Sequence, residues 1–101
     1  MRMAGRIRKE NMKEILMDKV LTIVNLELKE YEVKQEHITE NLFNLGMDSL
    51  TFIKMVVALE ETFDCEIPDS KLLPTEMNTV EKIMNVLQEL WDATQTKLGD
   101  L

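Results

Sequence analysis

The sequence predicts an all-α fold, a small four-helix bundle with three longer helices, one short third helix and a long first loop. Three observations carry this expectation. Apolar residues recur at spacings of three and four over residues 12–28, 49–63 and 80–91, which is the period of a helix with one buried face. The composition is 45% hydrophobic but only 5% aromatic, with eight methionines, which suits an aliphatic and adaptable core between helices. A length of 101 residues supports one domain with one modest core and leaves no room for a second catalytic domain.

Residues 1–11 lack apolar periodicity and read as a flexible basic tail. The folded domain is expected over 12–92, with a frayed tail over 93–101. In the first helix Ile15, Leu16, Val20, Ile23, Val24 and Leu28 form the apolar face. Lys13, Asp18, Lys19 and Glu27 lie opposite and read as a solvated surface.

Between Glu30 and Asn44 the period breaks down, and Tyr31, Val33, Ile38, Leu42, Phe43 and Leu45 are apolar anchors in polar sequence. Helix connections usually run two to eight residues, so a segment this long must be pinned to the core by those anchors, with a short helical turn expected near 39–43. His37 has no second His or Cys at ligand spacing and reads as a surface residue; no metal is expected.

The chain is organised around Leu45-Gly46-Met47-Asp48-Ser49-Leu50. Gly46 has no Cβ and allows a tight turn with positive φ. Asp48 is suited to cap the following helix by accepting from its free N–H groups. Ser49 then becomes its first residue, a short hydroxyl beside unsatisfied donors and a partial positive charge, where an attached phosphate is favoured.

The helix over 49–62 carries more apolar surface than one buried face needs. Phe52, Met55, Val56, Leu59 and Phe63 form the stripe expected to face the core. Leu50, Ile53 and Val57 form a second, starting one residue after Ser49. Either a helix wedged between neighbours buries both stripes, or the second stays exposed for a partner. Three such side chains, each worth ~1.5–3 kcal/mol when covered, are enough for much of a transient contact.

Pro68 stops any continuation of that helix, and Ile67 is expected in the core. The run from Asp69 to Leu73 is read as the short third helix, limited by Pro74. Asn78 is expected to cap the last helix with Glu81 closing a capping box. Val80, Ile83, Met84, Leu87, Leu90 and Trp91 supply its inward stripe, with Trp91 read as core.

Three segments together, Leu45 to Leu50, Ala58-Leu59-Glu60-Glu61-Thr62-Phe63 and Glu66-Ile67-Pro68-Asp69, resemble the acyl carrier and peptidyl carrier protein family over residues 12–91. The tripeptide Asp48-Ser49-Leu50 alone is a weak signal; its spacing to the later segments makes the combination specific. The stretch between Asp69 and Asn78 is about two residues longer than the family pattern and contains Pro74, which puts the regularity of the third helix in doubt. The resemblance implies that Ser49 receives 4′-phosphopantetheine from coenzyme A through a phosphopantetheinyl transferase, with Asp48 as helix cap and aid to metal placement in that enzyme. It further implies a free-standing, non-catalytic carrier of acyl or aminoacyl thioesters. Its partners would be a loading enzyme, a ketosynthase or condensation enzyme, and a thioesterase, docking on Leu50, Ile53, Lys54 and Val57.

Lys54 and Thr51 stand where fatty-acid synthesis carriers of the family are strongly acidic, so the expectation is a polyketide or nonribosomal peptide pathway, with fatty-acid synthesis as the alternative. From another class, a plain helical interaction domain in which Ser49 only starts a helix stays open.

Charge and side-chain inventory bound the remaining classes. The net charge is −7. Residues 1–13 hold five basic residues (Arg2, Arg6, Arg8, Lys9, Lys13) against Glu10, which leaves the rest, with seven basic and eighteen acidic residues, at −11. Such a domain repels a phosphate backbone, so nucleic-acid binding is not expected, and basic protein surfaces are the better partners. No run approaches the roughly 20 apolar residues of a membrane span. The single cysteine, Cys65, excludes an internal disulfide, reads as a small buried hydrophobe, and agrees with a reducing cytoplasm; a cytoplasmic monomer is expected. With one His, one Cys and no serine paired with a base, no nucleophilic triad can be assembled. The acidic cluster of Asp64, Glu66 and Asp69 lacks the glycine and terminal glutamate of a calcium loop.

Overall fold

The structure, a computed structural model, describes the backbone of residues 9–99 and the side chains of residues 13–93. The basic tail expected over 1–11 lies outside the described residues up to position 8.

Three α-helices and three short 3₁₀ turns make up the described chain: α1 (Lys9–Glu27), 3₁₀ turns at Gln35–His37 and Leu42–Leu45, α2 (Ser49–Phe63), a 3₁₀ turn at Asp69–Lys71 and α3 (Val80–Gly99). α1 packs against both α2 and α3. Helix α1 thus starts three residues before position 12, and α3 runs through the stretch expected to fray as far as Gly99.

The core forms where the three apolar faces meet. Val20, Ile23, Val24 and Leu28 come from α1, Phe52, Met55, Val56 and Leu59 from α2, and Val80, Ile83, Met84 and Leu87 from α3, all buried. These are the periodic positions of the sequence. Val86 is buried beside them, and Met47 and Met77 enter the core from loops, where no period marks them. Ile67 is buried as expected.

The first loop is fastened at both ends. Asn25 on α1 accepts from the Val33 N–H at 2.7 Å and donates to the Val33 carbonyl at 2.9 Å. Further on, the Leu42 N–H donates to the Asn78 carbonyl at 2.8 Å and the Glu81 N–H donates to the Ile38 carbonyl at 2.9 Å. The expected turn near 39–43 is found at Leu42–Leu45, with Asn41 Oδ1 accepting from the Phe43 N–H. His37 is held within the loop: its Nδ1 accepts from the Lys34 N–H at 3.0 Å and its ring meets Tyr31 edge-on.

Three expectations need correcting. The short third helix is only the 3₁₀ turn Asp69–Lys71 between Pro68 and Pro74. A regular α-helix starting there would need an N–H at position 74, which proline lacks. The cap of α3 is Thr79, not Asn78, and no Asn78–Glu81 box forms. Thr79 Oγ1 accepts from the Lys82 N–H at 3.0 Å, while the Asn78 Oδ1 is buried without a hydrogen-bond partner among the described residues. Trp91 is not core but 47% exposed, and Ile15 is also exposed, because both lie where α1 and α3 have no further helix to cover them.

Candidate functional site

The junction before α2 is built by three local devices. Gly46 closes the turn Leu42–Leu45 with φ of 112°, a conformation that L side chains rarely adopt, and open space surrounds the position where a Cβ would stand. Met47 is buried and its N–H donates to the Leu42 carbonyl at 3.1 Å, which anchors the turn to the core. Asp48 then takes an extended backbone, and its Oδ1 accepts from the Thr51 N–H at 2.8 Å while its carbonyl accepts from the Phe52 N–H at 2.8 Å. Thr51, through its backbone N–H first and its hydroxyl second, holds the Asp48 carboxyl below the usual aspartate range, and the Lys54 ammonium pulls weakly the same way. Asp48 is therefore ionised at neutral pH and committed to the cap.

Ser49 follows as the first residue of α2, exposed, and its hydroxyl has no hydrogen-bond partner among the described residues. With two of the first-turn N–H groups of α2 directed to Asp48, those of Ser49 and Leu50 stay open to an incoming anion, at the positive end of the helix. A free hydroxyl beside open donors fits a covalently attached phosphodiester.

A family model described as a phosphopantetheine attachment site matches residues 18–87. The chain belongs to that family. It contains a site for covalent 4′-phosphopantetheine, the prosthetic group of carrier proteins such as acyl carrier proteins. Carrier domains of this kind are as a class non-catalytic, and they work with phosphopantetheinyl transferases and biosynthetic enzymes.

The structure leaves the second stripe of the carrier's α2 uncovered: Leu50 is 63%, Ile53 58% and Val57 46% exposed, with Lys54 beside them, also exposed. The first stripe is buried from Phe52 to Leu59 and half-buried at Phe63. Of the two arrangements open from the sequence, the helix buries only one stripe.

Sequence reasoning missed two features around α2. Glu60 Oε2 accepts from the Ile67 N–H at 2.9 Å and so ties the loop after α2 to the helix. Asp64 ends the helix in the left-handed region, φ 50°. No residue spacing signals either, since Glu60 entered only through the resemblance and Asp64 only as part of a cluster that fails the calcium-loop pattern. Cys65 is half-buried at that end, and burial, with Glu60 and Asp64 nearby, pushes its thiol pKa up. Among the described residues no cluster of His, Cys, Asp or Glu is placed to hold a metal ion, and no helix is long and apolar enough to cross a membrane.

Proposed function

We propose that Ser49 is the attachment residue and that the chain is a carrier, without catalysis of its own, for a polyketide or nonribosomal peptide pathway. The observation that carries the assignment is the exposed, unpartnered Ser49 hydroxyl at the head of a capped helix. The chain has only two serines, and the other, Ser70, sits inside the three-residue 3₁₀ turn Asp69–Lys71, which offers no helix start. In the transferase, Ser49 Oγ bonds to the β-phosphorus of coenzyme A as the bond to the α-phosphate breaks; adenosine bisphosphate leaves and the hydroxyl proton passes to a base of that enzyme. Asp48 keeps the first turn of α2 formed, so that Ser49 stays on a rigid element during the attack. Once attached, the arm supplies a terminal thiol that holds acyl or aminoacyl groups as thioesters. Tethering raises the local concentration of that cargo at each partner site.

Partner enzymes are proposed to dock on Leu50, Ile53, Lys54 and Val57, which are exposed on the helix that begins with Ser49. The pathway reading rests on the exposed ammonium of Lys54 within this surface, which favours partners less basic than those of fatty-acid synthesis.

Intact mass after incubation with coenzyme A and a broad-specificity transferase tests the attachment: one adduct is expected, retained in Ser70→Ala and lost in Ser49→Ala. An unchanged mass, or a label on Ser70, refutes it. Extension of the loaded chain by a fatty-acid synthase as fast as that system's own carrier would leave the attachment standing and overturn the pathway.

A further inference from the structure

Beside the Ser49 junction lies a second feature that the docking stripe does not use. A groove of about 620 Å³ runs between the end of α1, the first loop and the start of α2. This is within the range of small-molecule sites. Gly46 and Thr51, three residues before Ser49 and two after it, both line the groove, so it flanks the start of α2. Lys54 lines it as well, standing between the groove and the stripe of Leu50, Ile53 and Val57.

The lining alternates in chemistry. Thr51, Lys54 and Asn44 offer a hydroxyl, an ammonium and an amide, Leu28, Leu45 and the Tyr31 ring offer apolar surface, and Glu27, Lys29 and Glu30 add charges of both signs. A pantetheine arm alternates in the same way: a phosphodiester, a pair of methyl groups, a hydroxyl and two amides in sequence. The Thr51 hydroxyl can both donate and accept, and so can pair with an amide of the arm. Lys54 and Lys29 both line the groove and supply positive charge there.

The other large groove, about 450 Å³, does not compete for this segment. It is lined mainly by apolar side chains, among them Ile15, Phe63, Leu87 and Trp91, at the opposite end of α2. Phe63 stands fourteen residues beyond Ser49, about 21 Å along the helix at 1.5 Å per residue.

We propose that the groove between the first loop and the start of α2 is a resting site for the amide-bearing length of the arm on Ser49, with Lys54 and Thr51 as polar anchors and Tyr31 and Leu45 against its methyl groups. The inference rests on Ser49 as the attachment residue. In this position the arm leaves Leu50, Ile53 and Val57 uncovered, so an enzyme can dock on the stripe first and draw the arm out afterwards.

The test is NMR on the full chain before and after transferase treatment, with the adduct on Ser49 verified by mass. The expected result is a set of nuclear Overhauser contacts from the arm's methyl groups to the Tyr31 ring and Leu45 methyls, with amide shift changes at Thr51 and Lys54. In Thr51→Val, which lies outside the docking stripe and keeps the backbone N–H that Asp48 caps, those contacts should fall by at least about half while the adduct remains. An adduct whose shift changes stop at Asp48, Ser49 and Leu50, with no contact to Tyr31 or Leu45, overturns the resting site alone. Failure to form the adduct overturns the attachment and the resting site together.

Discussion

The Asn25 side chain holds both backbone groups of Val33, accepting from its N–H at 2.7 Å and donating to its carbonyl at 2.9 Å. One amide on α1 therefore replaces the strand or helix partner that an irregular loop cannot provide for itself, and it does so at a residue only 2% exposed. This fastening sets the start of the loop's path, while the Leu42–Asn78 and Glu81–Ile38 backbone bonds hold its later part.

Asn25→Ala leaves both groups of Val33 without a partner in a buried place, at about 1–3 kcal/mol for each. The expected loss exceeds about 2 kcal/mol by urea unfolding. Faster hydrogen exchange should spread through residues 31–45. A loss below about 0.5 kcal/mol would show that the apolar anchors and the backbone bonds to Asn78 and Glu81 hold the loop without Asn25.

Gly46→Ala should destabilise by about 1–2 kcal/mol, because alanine at φ of 112° is strained even though no atom lies within 4 Å of the added carbon. Thermal unfolding measures it. An unchanged melting temperature would mean that the turn relaxes without strain.

The Asp48 cap makes stability depend on acid. Its folded carboxyl titrates below the ordinary aspartate value of about 3.9, so its contribution is fully present above that value and is lost as the pH falls through the lower folded value. Asparagine also caps well but does not titrate. Between neutral pH and the acid limb the natural chain should therefore lose more stability than Asp48→Asn; equal losses in parallel denaturant titrations would refute this.

Thr79→Ala removes the acceptor of the Lys82 N–H and should cost about 0.5–2 kcal/mol. Asn78→Ala deletes a buried oxygen that has no partner and should cost less. The reverse order in a pair of denaturation curves would restore Asn78 as the cap.

Leu59 is fully buried among the three helices, and Leu59→Ala should cost about 2–5 kcal/mol through lost burial and the cavity left behind. A chemical melt that shifts by less than about 1 kcal/mol would indicate a core able to collapse into the space, which the methionines Met55 and Met77 make the relevant alternative.

What the sequence by itself determined is local. The turn at Gly46, the cap at Asp48, the helical head at Ser49 and the apolar stripes of α1, α2 and α3 all follow from interactions within a few residues, where backbone sterics and helical period leave little choice. The tertiary structure decided whether the second apolar stripe on α2 is covered, whether Trp91 has anything to pack against, and that Thr79 rather than Asn78 turns its oxygen to the helix start. It also decided that the first loop leaves a groove beside Ser49. These outcomes depend on which surfaces are left over once α1 has packed against both its neighbours, and burial is non-directional, so no residue spacing encodes it.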